Sequence, residues 1–200
     1  MMEKIKQELE KGRAVVLPTE TVYGLFAKAL DEKAVDHVYQ LKRRPRDKAL
    51  NLNVASLADI LNFSKNQPPY LQQLVEKFLP GPLTIILKAN DKVPDWVNSD
   101  LTTVGFRMPN YPVTLELIRE FGPLIGPSAN ISGQASGVTF KEILKDFDQE
   151  VLGVEDDAYL TGQDSTILDL SGSKARILRQ GAVTKEDILA KIPVIPFEEV

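Results

Sequence analysis

The most informative segment of this 200-residue chain is Pro18-Thr19-Glu20-Thr21-Val22-Tyr23-Gly24-Leu25. It follows the apolar run 14–17, which is typical of a short buried strand. Because Pro18 has no N–H to donate, the strand should end there. The loop that follows carries two hydroxyls, a carboxylate and a phenol, and such loops often bind ligands in α/β domains. Local chemistry alone favours another interpretation, a capped turn that begins a helix with Thr19 or Thr21 as N-cap.

Composition excludes several classes of protein. The chain is 43% hydrophobic with a net charge of −4, which suits one globular domain and not a basic nucleic-acid coat. It has no cysteine, which excludes disulfides, thiolate catalysis and Cys/His zinc sites. Its one histidine, His37, lies in a predicted helix, where a packing or surface role is favoured over catalysis. The N-terminus lacks an apolar signal core, and no run approaches a membrane span, so we expect a soluble, cytoplasmic protein.

Periodicity and turn residues predict alternating helices and strands. Helices are predicted over 3–11, 32–41, 56–62, 70–79 and 139–147, with two more beginning at Pro112 and Thr184. Strands are predicted over 13–17, 50–54, 83–87, 102–107, 124–125, 164–170 and 176–179. The elements mix along the whole chain without a repeat or a linker. We therefore predict a single α/β domain, residues 1–200, with a twisted, mixed sheet flanked by helices.

The basic run at 42–48 is the strongest local electrostatic feature. It holds five basic residues in seven positions, and Pro45 should end the preceding helix. Lys42 and Arg44 could bind a polyanion at that helix end. A solvated turn that complements the helix dipole is the more common reason for such a run. RNA-backbone binding is a third interpretation, with Arg43, Arg46 and Lys48 as candidates.

Other candidate groups are weaker when taken one at a time. The segment 126–133 is small and polar, and its backbone could wrap a phosphate or simply join a strand to a helix. Arg107 and Arg179 end predicted strands, where an arginine can clamp a carboxylate or form a surface ion pair. Ser165-Thr166 could bind a ligand or the neighbouring backbone. Neither a G-x-G pair nor a P-loop occurs, so a nucleotide site would have to be built in another way.

Taken together and in order, these motifs resemble the Sua5/YciO/YrdC family of threonylcarbamoyl-AMP synthases. The likeness runs from about residue 13 to 190 and rests on PTETVYGL at 18–25, KRRP at 42–45, PGPLT at 80–84, VGFRMP at 104–109, PSAN at 127–130 with Ser132-Gly133, Ser165-Thr166, and RQG at 179–181. It implies a YrdC-like/RibB-like fold of the single-domain type, without the C-terminal domain of longer members.

The resemblance also implies a reaction and its participants. Family members join L-threonine, bicarbonate or CO₂, and ATP, accompanied by Mg²⁺, into threonylcarbamoyl-AMP. A protein machinery then passes the threonylcarbamoyl group to a tRNA adenosine. It implies no covalent nucleophile and no metal held by protein side chains. It assigns threonine binding to Thr19, Arg107 and Ser165. It assigns ATP binding to Lys42, Arg44, Thr103, Ser128, Asn130 and Arg179.

The chain departs from the family pattern at two places. Many members carry a histidine where this chain has Asn53, so an amide would replace an imidazole near the threonine. The usual Arg-Pro-Gly is Arg179-Gln180-Gly181 here. The rival hypothesis is a non-catalytic RNA-binding module built on the basic run, which the acidic net charge and the lack of interleaved aromatic residues disfavour.

Overall fold

The computed structural model describes residues 1–137, 139–148 and 150–199. The strands of this part are β1 Val15–Leu17, β2 Gly24–Lys28, β3 Leu52–Asn53, β4 Ser64–Lys65, β5 Leu83–Ala89, β6 Thr103–Arg107, β7 Leu124–Ile125, β8 Thr166–Asp169 and β9 Arg176–Arg179. Its helices are α1 Met2–Glu10, α2 Glu32–Lys42, α3 Leu57–Phe63, α4 Leu71–Phe78, α5 Asp95–Asn98, α6 Pro112–Phe121, α7 Phe140–Asp146 and α8 Lys185–Lys191.

The strands form one mixed sheet. Their order is β1-β2-β7-β3-β6-β5-β8-β9, and β4 also pairs with β5. The pairs β3–β6 and β5–β8 are parallel, and the other pairs are antiparallel. This confirms the predicted α/β class with a mixed sheet flanked by helices.

The helix boundaries follow the capping residues that the sequence displays. Asp31 accepts hydrogen bonds from the amides of Lys33 at 3.1 Å and Ala34 at 3.4 Å, and so caps α2. Gly12 has a φ of +75° just after α1, a conformation that costs glycine little. Thr184 forms a capping box at the start of α8, as predicted.

The segment after Pro18 does not begin a helix. It forms a loop that enters β2 at Gly24, so the helix-cap alternative is wrong. The short elements β2, β4 and α5 were absent from the predicted set. Strand β2 is buried at four of its five positions, so it shows none of the alternation that reveals a half-exposed strand.

Apolar side chains cover both faces of the sheet. Val15 and Leu17 belong to the smaller apolar cluster, with side chains of α1 and α6. Val16 points the other way and belongs to the larger cluster. This alternation is the two-residue period of a strand, and it places the sheet between two apolar layers. Ligand-accessible groups are therefore expected at strand ends and loops. None of the helices in the described ranges is long and apolar enough to cross a membrane.

Candidate functional site

Six of the nine residues predicted to bind ATP or threonine line one cavity of about 320 Å³. This volume is at the low end of the range for small-molecule sites. The six are Thr19, Arg44, Arg107, Ser128, Ser165 and Arg179.

A row of side chains across five strands lines one side of this cavity. Asn53 on β3 is in register with Arg107 on β6, and Thr84 on β5 is in register with Ile167 on β8. Ile167 in turn faces Arg179 on β9. All five line the cavity, so pairing of distant strands brings together residues that are far apart in the sequence.

Gly105 makes room for a second amide beside this row. A Cβ atom at Gly105 would lie 2.2 Å from Oδ1 of Asn51, which is too close for any side chain. Asn51 therefore fits beside β6 because residue 105 is a glycine. Asn51 and Asn53 both line the cavity, two residues apart along the chain and so on one face.

The hydroxyls of the threonine-rich loop bind one another. Thr19 Oγ1 donates to the Val22 carbonyl at 2.7 Å, so Thr21 is the donor in the 2.9 Å bond between the two hydroxyls. Thr19 Oγ1 also accepts from the Thr21 amide at 3.1 Å. The Thr19 hydroxyl thus has one donor bond and two acceptor bonds, which is its full capacity. It can reach a ligand only by giving up one of them.

Arg107 is held by this same loop. Its Nη2 forms an ion pair with Glu20 and donates to Thr21 Oγ1 at 3.0 Å. The second oxygen of Glu20 accepts from the amide of Asn110. Nε of Arg107 is buried without a hydrogen-bond partner. The guanidinium is therefore fixed at the cavity wall, with its charge balanced by Glu20.

The other two arginines of the cavity have no carboxylate partner within the described residues. Arg44 donates to the carbonyls of Lys48 at 3.3 Å and Ala49 at 2.7 Å. Arg179 donates to the carbonyl of Ser165 at 2.9 Å and 3.1 Å and to its hydroxyl at 3.2 Å. Both positive charges remain unbalanced, which favours an anionic ligand.

Lys42 lies behind the cavity wall, although the sequence predicted that it binds ATP. Its ammonium donates to the carbonyls of Ser128 at 2.6 Å and Asn130 at 2.8 Å, and to Oδ1 of Asn130 at 3.3 Å. It is 1% exposed and does not line the cavity. Burial, with a smaller contribution from Arg44, lowers the pKa of Lys42 to about 8.

Asn130 and Thr103 also lie away from the cavity. Asn130 is 8% exposed, and its amide nitrogen donates to the carbonyls of Ile131 and Gln134, so it shapes its own loop. Thr103 begins β6, four residues before Arg107. At ~3.3 Å per residue that places it roughly 13 Å from the cavity end of the strand.

The basic run is divided between different environments. Lys42 is buried and Arg44 faces the cavity, as described above. Arg46 forms an ion pair with Asp36 and lies 4.6 Å from the centre of the Tyr39 ring. Arg43 and Lys48 are exposed. The run is therefore not one continuous basic surface.

Sequence reasoning missed several residues that line the cavity: Thr21, Tyr23, Asn51, Thr84 and Asp164. Three of them lie in motifs that the sequence analysis singled out: Thr21 and Tyr23 in the 18–25 segment, and Thr84 in the PGPLT segment. Burial and a hydrogen bond to Asp157 raise the pKa of Tyr23 well above its usual value, so its hydroxyl stays protonated. Asp164 had no signal beyond its position next to Ser165.

A larger hollow of about 820 Å³ lies elsewhere, between the start of α4 and residues 194–196. Glu76 is the charged residue of its lining, which otherwise consists of proline, glutamine and small or apolar residues. It lacks the convergent cations of the first cavity. We therefore take the first cavity as the candidate site.

Comparison with known proteins shows what the whole chain is similar to. The family model Sua5_yciO_yrdC, described as "Telomere recombination", matches residues 7–181. The threonylcarbamoyl-AMP synthase of Pyrococcus abyssi is 37% identical over 182 residues, which are 90% of this chain and 54% of that protein. That of Bacillus subtilis is 37% identical over 194 residues, covering 96% and 56%. The structure of P. abyssi Sua5 complexed with L-threonine matches with a TM-score of 0.90 at 35% identity, covering 98% of this chain and 58% of that one. The chain thus spans about half the length of these relatives.

Proposed function

This chain belongs to the Sua5/YciO/YrdC family, and we propose that it is an ATP-dependent enzyme that makes L-threonylcarbamoyladenylate. Its substrates would be L-threonine, bicarbonate or CO₂, and ATP, and pyrophosphate would be released. Partner proteins would then transfer the threonylcarbamoyl group to a tRNA adenosine, which suits a cytoplasmic protein. We propose that residues 1–200 act as one domain. The observation that carries the proposal is one cavity lined by three arginines, of which Arg44 and Arg179 have no carboxylate partner among the described residues.

The proposed chemistry needs no protein nucleophile. The threonine amine adds to CO₂ and loses a proton, which gives a carbamate. A carbamate oxygen then forms a bond to the α-phosphorus of ATP, and the bond to pyrophosphate breaks. The protein contributes by positioning the reactants and by balancing the charge that moves to the leaving pyrophosphate.

The contacts of each side chain support a division of roles. Arg44 and Arg179 have unbalanced charges and would bind the triphosphate. Ser128 gives its hydroxyl proton to Oδ1 of Asn130 at 2.6 Å, so it offers the cavity an acceptor, which suits a ribose hydroxyl better than a phosphate. Arg107 would bind the threonine carboxylate, assisted by Ser165 and, after a change of partner, by Thr19.

Thr103 and Asn130 were also predicted to contact ATP. They could do so only if the nucleotide extends beyond the cavity; otherwise they would act through neighbouring residues. Mg²⁺ would be held chiefly by the nucleotide phosphates, as is usual, and would help to balance their charge. No group of three or more His, Asp or Glu side chains in the described ranges could hold a metal ion. One carboxylate is enough for nucleotide-bound Mg²⁺, and Asp164 lines the cavity.

The test is pyrophosphate release by the purified chain with each substrate omitted in turn. We expect release that requires threonine, bicarbonate and ATP together. Arg44→Ala should abolish most of it, and Lys28→Ala, on β2 but outside the cavity, should not. Release that is unaffected by omission of threonine would contradict the proposal.

A further inference from the structure

The side chain of Lys42 makes contacts that the proposed reaction does not explain. This last residue of α2 is 1% exposed, and its ammonium has three N–H bonds directed at three oxygens, of Ser128 and Asn130. No carboxylate of the described residues pairs with it in an ion pair. A buried cation is costly unless it is well bonded, so these three bonds are needed to keep it charged.

The backbone of Lys42 holds the same loop. Its carbonyl accepts from the amide of Ser132 at 2.8 Å, while its ammonium reaches residues 128 and 130. On the other side of the loop, the Ala129 amide donates to the Tyr23 carbonyl at 2.9 Å. The segment 128–132 is thus held between the end of α2 and the entry to β2. Its Ser128 faces the cavity.

We infer that Lys42 is a positioning residue, which fixes the 128–132 loop so that Ser128 faces the nucleotide, and that it does not itself contact a phosphate. The inference rests on the proposed nucleotide site for its functional meaning. Its physical basis is independent of that site, because every donor of the ammonium is already used in the absence of a ligand. A phosphate contact would require Lys42 to leave at least one carbonyl, which would release the loop.

The bonding pattern also predicts a pH dependence of the 128–132 loop in ligand-free protein. A neutral amine has two N–H bonds, so one of the three oxygens would lose its donor. The pKa of Lys42 is lowered to about 8, by burial and then by Arg44, its charged neighbour two residues on. The loop should therefore loosen as the pH rises through that value, and ligand-free protein should show it.

Amide hydrogen exchange in ligand-free protein tests the inference directly. In Lys42→Met, which keeps the apolar stem and loses the ammonium, Ala129 and Ser132 should exchange about tenfold faster or more, because a charged hydrogen bond contributes at least that much. The strands of the sheet should be unaffected. Lys33→Met is the matched control on an exposed position of α2 and should leave the loop unchanged. Amide exchange becomes faster with pH in any protein. Above about pH 8, the loop amides of the wild type should exchange faster than this intrinsic effect explains, and those of Lys42→Met should not.

Binding of ATP by calorimetry then separates the two roles through a double-mutant cycle with Ser128→Ala. A positioning role predicts that the two losses do not add, because Ser128 is already displaced once Lys42 is removed. Additive losses with unchanged loop exchange would mean that Lys42 contacts the phosphates and would overturn the inference. If wild type fails to bind ATP, the proposed function fails, and the exchange experiment still decides the role of Lys42. If Lys42→Met does not fold, Lys42→Gln, which keeps two N–H donors, is the second variant. Its loop amides should exchange faster than in wild type but less than about tenfold faster, and exchange at the wild-type rate would contradict the inference.

Discussion

The arginines of the cavity differ in their partners, and this difference predicts different kinetics. Arg44 binds two carbonyls and keeps an unbalanced charge, whereas Arg107 is paired with Glu20. In the proposed reaction the charge on the triphosphate shifts as pyrophosphate leaves, while the threonine carboxylate keeps its charge. An arginine that binds the triphosphate should therefore affect the turnover rate. An arginine that binds the threonine carboxylate should affect threonine binding.

We expect Arg44→Ala to lower kcat by ~10²-fold or more, as loss of a transition-state donor does. Arg107→Ala should mainly raise the KM for threonine. Because that change leaves the half-buried Glu20 without its arginine partner, the double variant Glu20→Ala/Arg107→Ala is the control, and it should show the same rise in KM. The measurement is pyrophosphate release over a range of ATP and threonine concentrations. Equal effects of both arginines on both parameters would show that their roles are misassigned.

Substitution of Asn53 by histidine tests whether this chain needs the histidine that many family members carry. Its side chain is 5% exposed and lies beside Arg107 in the β3–β6 register. Because Arg107 and Ser165 remain as the proposed threonine contacts, Asn53→His should change the threonine KM by less than about tenfold, or ~1.4 kcal/mol. Steady-state kinetics of both forms checks this. An inactive wild type that gains activity by Asn53→His would mean that the chain is a diverged relative without synthase activity.

At the residue scale, the sequence identifies chemical types but not what each group binds. Lys42 and Arg44 are two residues apart in one basic run, yet Lys42 is buried against the 128–132 loop and Arg44 faces the cavity. The difference arises because Arg43 takes a left-handed φ of 50° at the end of α2, which redirects the chain. No local sequence pattern predicts this change of chain direction at Arg43. Asp164 likewise reaches the cavity through the pairing of β8 with β5, which is a property of the whole sheet.

At the scale of elements, the junction of α2 and β1 contains the titratable group His37. The amide of Ala14, just before β1, donates to Nδ1 of His37 at 3.2 Å, so this nitrogen must be unprotonated. Burial, followed by the charge of Arg13, lowers the pKa of His37, and Glu8 and Glu150 oppose the shift weakly. The unfolded chain therefore binds a proton more readily than the native protein below about pH 6.5.

We expect stability to fall as the pH is lowered through about 6.5 and to be insensitive to His37 above it. Urea unfolding at pH 5.5 and 7.5 measures this, with His37→Gln as the control because an amide oxygen can accept the same bond. Wild type should lose more stability on acidification than the variant. Equal losses would contradict the conclusion that the unprotonated His37 ring accepts this bond.

The divided basic run makes a prediction about RNA. With Lys42 buried, Arg44 in the cavity and Arg46 paired with Asp36, Arg43 and Lys48 remain for a backbone contact. Two such side chains give a log–log salt slope no steeper than about −2. Any RNA bound through Arg44 should also be displaced by ATP. A steep slope and an RNA affinity unchanged by saturating ATP, in filter-binding assays, would favour the RNA-binding rival.

Most elements could be predicted because their boundaries have local causes, such as the Asp31 cap and Pro112 at the start of α6. The loop after Pro18 could not be told from a helix start for a physical reason. Thr19 accepts from the amide two residues on, which is also what an N-cap does. Whether a helix or a strand follows depends on the pairing of β2 with β1 and β7, which is not a local property.

At the scale of the whole molecule, the distribution of charge matters more than its sum. The chain carries −4 overall, yet Arg44, Arg107 and Arg179 converge on one cavity where Asp164 also lies. Focused positive charge in a concave site attracts anions even when the whole molecule is acidic. The sequence could indicate these arginines singly. Their convergence depends on the strand order, which places β3, β6, β5, β8 and β9 side by side.

We propose that this cavity joins threonine, a one-carbon unit and ATP into one molecule. The most direct measurement supplies ¹³C-bicarbonate, threonine and ATP and identifies the adenylate by mass spectrometry. We expect threonylcarbamoyl-AMP that carries one ¹³C atom, is formed together with pyrophosphate and is lost in Arg44→Ala. Pyrophosphate and AMP without a labelled adenylate, or a threonine adduct that lacks the label, would contradict it.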